Sequence, residues 1–63
     1  MKVYIFTKGD ECLVYQNEAY GWINMYEKGP ARAINVVCMT DKNKAEKYAK
    51  TIGAETMEIV VNG

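Results

Sequence analysis

The chain has 63 residues, room for one domain against a usual size of roughly 100–150 residues. Apolar residues make up 49% and charged residues 25%, a globular rather than a disordered composition. Eight Lys+Arg balance eight Asp+Glu for a formal charge of zero. That balance excludes a polybasic protein binding nucleic acid or membrane by bulk charge.

Lys2–Thr7 (KVYIFT) is rich in β-branched and aromatic residues and apolar on both alternating sets, so it predicts a well-covered strand. Gly9-Asp10 suits a tight reversal into a second strand, Glu11–Gln16 (ECLVYQ). Asn17 tolerates the left-handed backbone that a further hairpin turn requires. Ala19–Tyr26 (AYGWINMY) is ambiguous. As a helix it aligns Ala19, Trp22, Ile23 and Tyr26. As a strand it puts Tyr20, Trp22 and Tyr26 on one face and Ile23 and Met25 on the other. Gly21 lowers helix preference by about 1 kcal/mol and the aromatics favour a pleated surface, so the strand is preferred. Gly29-Pro30 turns the chain, and Arg32–Met39 (RAINVVCM) reads as the clearest strand.

A helix follows, capped by Thr40 or Asp41. Ala45, Tyr48, Ala49 and Ile52 recur at helical spacing as one apolar stripe. Gly53 supplies the left-handed position that stops it. Thr56–Val61 then alternates as a closing strand, with Met57, Ile59 and Val61 on one side. The order is β-β-β-β-α-β, or β-β-α-β-α-β if residues 19–26 are helical. The class is α+β: a small antiparallel meander with one helix on one face.

His and Ser are both absent from the chain. Nucleophilic catalysis is left with Cys12, Cys38, Thr or Lys and an acidic base. Cys38, set between Val37 and Met39, reads as a buried, inert thiol, and Cys12 as a second small hydrophobe. Asp10-Glu11 reads as a solvated hairpin tip rather than an acid–base pair. Two Cys and no His are a poor zinc set, and Asp41, Asn43 and Glu46 do not follow a calcium-loop pattern. The glycines are scattered, without a phosphate-binding motif. The expectation is no enzyme, no metal and no cofactor. The apolar runs Val3–Phe6 and Ile59–Val61 fall far short of the ~20 residues that span a bilayer. The chain opens without an apolar targeting segment, so a soluble, cytoplasmic protein with no membrane partner is expected.

One helix covers only one face of a sheet. An aliphatic set (Val3, Ile5, Val14, Ile23, Met25, Ile34, Val36, Ile59) is expected beneath it. The other face would then carry Tyr4, Phe6, Tyr15, Tyr20, Trp22 and Tyr26 with Leu13 and Val37, an apolar patch that needs covering. Tyr, Trp and Met are enriched at protein interfaces. Tyr20, Trp22 and Tyr26, with Tyr15 and Tyr4, are therefore the candidate partner-binding residues.

So short a core also favours a homodimer or a larger partner. The alternative is a single-stranded nucleic-acid binder stacking bases on Tyr20, Trp22 and Tyr26, with Lys2, Lys8, Lys28 and Arg32 near the strand ends. Lys42, Lys44, Lys47 and Lys50 form a secondary basic patch on the helix. The C-terminal half, VVCMTDKNKAEKYAKTIGAETMEIVV, is similar to the strand–helix–strand ending of many short bacterial and bacteriophage proteins. With the size and missing chemistry, that resemblance implies a small phage or mobile-element inhibitor that occupies a host protein's surface.

Overall fold

The computed structural model describes residues 1–26 and 35–62. Five strands and one helix appear in the order β1 (Lys2–Lys8), β2 (Glu11–Gln16), β3 (Ala19–Asn24), β4 (Cys38–Met39), α1 (Lys42–Ile52), β5 (Glu55–Val60). This is the α+β architecture expected, with residues 19–24 a strand; Met25 and Tyr26 lie in a turn beyond it. No helix among the described residues is long and apolar enough to cross a membrane.

The two hairpins close through residues that can take positive φ. Gly9 does so at +56° between the paired residues Lys8 and Glu11. In the second turn Asn17 (+52°) and Glu18 (+62°) both occupy the left-handed region between Gln16 and Ala19. Two successive left-handed residues match the right-handed twist of the flanking strands. Asn bears this readily; Glu does so under strain.

β1 organises the sheet. β5 runs antiparallel along it from Lys2↔Val60 to Thr7↔Glu55, which fills one edge. β2 and β4 share the other: β2 pairs only at Thr7↔Cys12 and Lys8↔Glu11, and β4 at Tyr4↔Met39 and Ile5↔Cys38. The β1–β2 hairpin thus opens into a fork, and residues 35–39 fill it. The Tyr15 N–H donates to the Asn35 carbonyl (2.8 Å) and the Val37 N–H to the Leu13 carbonyl (3.1 Å), around an antiparallel bridge between Val14 and Val36. A straight strand cannot be antiparallel to two strands that run in opposite directions. The chain therefore changes partner between Val37 and Cys38. The long strand expected over 32–39 is broken by this change of partner, and only Cys38–Met39 forms a ladder. Residues 32–34 of that expectation lie outside the described residues.

α1 begins at Asp41, whose carboxylate accepts from the Lys44 N–H at 3.0 Å, satisfying a free donor of the first turn. It ends at Gly53, φ +69°. There the Ala54 N–H reaches the Ala49 carbonyl (2.8 Å) and the Gly53 N–H the Lys50 carbonyl (3.3 Å), a paired closure that satisfies the last carbonyls. The helix lies over β1, β4 and β5. Its stripe is as expected: Ala45 and Ala49 are buried, with Tyr48 and Ile52 packed beside them.

The face beneath the helix is the reverse of the expected one. Phe6, Leu13, Ala45 and Ala49 form the buried cluster, with Tyr4, Trp22, Val37 and Met39 packed against it. The aromatic set, not the aliphatic one, meets the helix. The reason is volume: two alanines at the centre of the stripe leave space that only large side chains fill. Phe6 is fully buried and meets Tyr48 edge-on, with ring centroids 5.0 Å apart and planes at 74°, a favoured aromatic geometry.

Phe6→Ala removes the largest fully buried side chain and should cost about 3–5 kcal/mol. A domain of this size holds only a few kcal/mol of net stability. Calorimetry should show the cooperative transition lost or greatly lowered, and a variant melting within a few degrees of the parent would contradict this core. Glu18→Gly should act oppositely, relieving left-handed strain for a gain of about 0.5–1 kcal/mol. A denaturant midpoint that fails to rise would refute that reading of the turn.

Candidate interaction surfaces

Pairing fixes which side chains share a face, because directly opposed residues point the same way. On the helix side β1 contributes Tyr4, Phe6 and Lys8, β2 Leu13 and Tyr15, and β3 Tyr20 and Trp22. α1 lies over β1, β4 and β5 and reaches only the near ends of Leu13 and Trp22, so among the described residues no helix covers the far end of this face. Tyr15 and Tyr20, a directly opposed pair, stand there with centroids 4.8 Å apart and planes tilted by 59°. Tyr20 is 64% exposed.

Trp22 is half-buried against the core, with the Lys8 ammonium 4.6 Å above its ring. Such a contact is attractive through the ring quadrupole. The candidate aromatics therefore divide. Tyr4 and Trp22 are core packing, Tyr15 and Tyr20 form an exposed pair, and Tyr26 is 67% exposed in the turn after β3. There the Tyr26 N–H donates to Asn24 Oδ1 at 2.8 Å. The single aromatic platform expected from the sequence is corrected on two points: alternation puts Tyr4, Tyr15, Tyr20 and Trp22 on one face but the helix claims part of it, and Tyr26 lies outside the strand.

The opposite face is aliphatic. Three cross-strand pairs of β1 and β5 build it: Ile5 with Met57, Val3 with Ile59, and Met1 with Val61. Cys38, opposite Ile5, and Val36, opposite Val14, extend it. On this face Thr7, Cys12 and Val14 are buried, while Val36 and Cys38 beside them are exposed. Toward β5 it is open: Met57, Ile59 and Val61 are 36–37% exposed, and Met1 more so. Val3, Ile5, Val14, Ile23, Val36 and Ile59, expected under the helix, all lie on this face instead, and Met25 lies in the turn after β3. Their odd–even alternation was legible, but the choice of face turns on the alanines of α1.

Lys42, Lys44, Lys47 and Lys50 are all exposed on α1, interleaved with Glu46. Lys28, Arg32 and Ile34 lie outside the described residues. Lys2 is engaged with Glu58 at 3.2 Å across β1 and β5, and the hydrogen bond to that carboxylate, then its charge, raise the lysine's pKa above the ordinary 10.5. Among the described residues no cluster of three or more His, Cys, Asp or Glu is placed to hold a metal ion. No family model, no curated protein and no solved structure matches the chain.

Both thiols are free, Cys12 buried and Cys38 exposed. The exposure of Cys38 corrects the expectation of a second buried thiol: β4 is short, and Cys38 points to the open face. Burial pushes the Cys12 thiol above its ordinary pKa of 9.0. A raised thiol pKa keeps the folded form protonated, so its share of stability is whole below the unfolded pKa and lost as pH rises. Iodoacetamide at pH 8 should label Cys38 rapidly and Cys12 only on unfolding. In a Cys38→Ala background, unfolding stability should decline as pH rises past the ordinary thiol value of 9.0, and Cys12→Val should shallow that decline. Equal labelling of both thiols, or an unchanged slope, would contradict the placement of Cys12.

Proposed function

We propose that the chain is a non-enzymatic protein-interaction module that works by occupying a partner's surface. The observation that carries this reading is the aliphatic block on the sheet face opposite the helix, where exposed Met57, Ile59 and Val61 stand beside half-buried Val3 and Ile5. Unlike scattered surface hydrophobes, these side chains are contiguous across two paired strands. Contiguous apolar surface of this kind marks interaction sites in soluble proteins. The mechanism that follows is steric: the block seats on an apolar surface and excludes what normally binds there. A small inhibitor carried by a phage or mobile element, acting in the cytoplasm, is the biological setting this reading favours.

A second reading has its own support. The exposed Tyr15–Tyr20 pair stands on the same face as Trp22 and Lys8, an arrangement able to stack unpaired bases. The zero net charge and the commitment of Lys8 to the Trp22 ring weigh against it. Binding of that kind would fall steeply with salt.

The two are separated by affinity purification from a bacterial lysate with the parent chain and with Met57→Lys and Ile59→Lys. Both positions are partly exposed, so the fold should survive, as far-ultraviolet circular dichroism would verify. A protein retained by the parent and lost at least tenfold with either lysine is the expected result. Retention unaffected by the lysines, or salt-sensitive retention of nucleic acid alone, would overturn the first reading.

A further inference from the structure

We propose that the chain pairs with a second copy of itself along the outer edge of β5, in an antiparallel register centred on Ile59. The inference rests on the interaction-module reading and names its partner and geometry. Its starting point is a hydrogen-bond pair at the end of the sheet: the Val61 N–H donates to the Met1 carbonyl (2.7 Å), and the Met1 amino group donates to the Val61 carbonyl (3.1 Å). Val61 therefore turns both backbone groups toward β1. In an antiparallel ladder that orientation alternates, so Ile59 and Met57 also face β1. The N–H and C=O groups of Thr56, Glu58 and Val60 point outward, and no strand among the described residues pairs with them.

An open strand edge is a template for another strand, and monomers usually blunt it with charged side chains, Pro or a bulge. β5 has no Pro and no Lys, and its ladder with β1 runs without a bulge. Its outward backbone positions hold Thr56, Glu58 and Val60, and Val60 is 66% exposed. The lone charge among them, Glu58, is already matched by Lys2 at 3.2 Å.

Two-fold pairing that keeps the same face up in both copies can centre on Met57, Glu58, Ile59 or Val60. Centring on Glu58 opposes two like charges, which destabilises a pair, and centring on Met57 sets Glu55 against Ile59. Centring on Ile59 sets Glu58 against Val60 of the second copy and Thr56 against Asn62, so every outward group of this stretch finds a partner. On the aliphatic face it sets Ile59 against Ile59 and Met57 against Val61. Centring on Val60 sets Glu58 against Asn62 and Ile59 against Val61, and pairs Met57 with no apolar residue. The Ile59 register thus joins the two aliphatic blocks across one continuous sheet.

The test uses backbone direction. Val60→Pro removes an outward N–H and no bond to β1, a position where an edge strand tolerates proline. Sedimentation equilibrium of the parent should show a dimer, and Val60→Pro should weaken association at least tenfold with its thermal transition little changed. Should the proline variant unfold, cross-linking decides. In a Cys38→Ala background with oxidised glutathione as oxidant, Ile59→Cys should form a disulfide-linked dimer, since Ile59 faces its own copy in a non-hydrogen-bonded pair. Met57→Cys alone should not, and mixed Met57→Cys and Val61→Cys chains should. A monomeric parent at about millimolar concentration, a dimer that a folded Val60→Pro leaves intact, or equal cross-linking by Ile59→Cys and Met57→Cys would each overturn the pairing. A monomer that still captures a protein through Met57 and Ile59 would sink the self-pairing and leave the interaction-module reading standing.

Discussion

The seat of Phe6 against Ala45 and Ala49 is the contact on which the rest of this molecule depends. A helix of eleven residues is too short to be stable alone in water, so its sequence must be held by packing. Two small residues at the centre of its stripe let the sheet supply the bulk. Phe6 fills the space, Tyr48 closes it edge-on, and Leu13 and Trp22 extend the filling toward the second hairpin. Because β1 alternates strictly, fixing Phe6 inward also fixes Tyr4 inward and turns Val3 and Ile5 outward. β5 follows through its register, which turns Met57 and Ile59 to the same outer face. The aliphatic block is thus a consequence of the aromatic core rather than a separate device.

The fork in the β1–β2 hairpin is the second constraint. Pairing only at its closed end, the hairpin leaves backbone groups of both strands without each other. Residues 35–39 satisfy groups on both sides by changing partner at Val37. Val37 and Met39 turn to the helix side and Val36 and Cys38 to the other, so alternation survives the change. The middle of β2 is consequently buried on both faces at Cys12, Leu13 and Val14. Among the described residues the open regions are the β2–β3 end of the helix-side face and, on the other face, the stretch from Val36 and Cys38 toward β5.

Local signals carried most of the fold. Asp41, the Ala45–Ile52 stripe and Gly53 each act within a turn of the backbone, so helix and caps were readable residue by residue. The same holds for the turns at Gly9 and Asn17 and for the strand state of residues 19–24, where Gly21 and the aromatics agree. What resisted reading was relational. Alternation separates two side-chain sets within a strand, but only the size of the helix stripe says which set it covers. The signal was present in Ala45 and Ala49, two small residues that call for large partners. The division of the candidate aromatics into core (Tyr4, Trp22) and surface (Tyr15, Tyr20, Tyr26) depends on where the helix ends over the sheet. Cys38 was misread for a related reason: a residue amid apolar neighbours is buried only if both faces are covered, and at β4 one is open.

The two open regions differ in chemistry as well as place. Tyr15 and Tyr20 present flat rings and hydroxyls at the β2–β3 end, a surface suited to polar, wettable contacts. The β1–β5 block presents branched and thioether side chains without a polar atom of their own beside an open backbone edge. Apolar side chains give affinity in proportion to area but little direction, whereas backbone groups at an edge impose strand orientation and register. Where both lie on one strand, the edge aligns a partner and the face holds it. The Lys2–Glu58 pair fits this division, since it neutralises the edge at its one charged position without placing a lysine across it. In the proposed pairing the two roles meet on β5 rather than at the aromatic end: Met57, Ile59 and Val61 would supply adhesion, and Thr56, Glu58 and Val60 alignment.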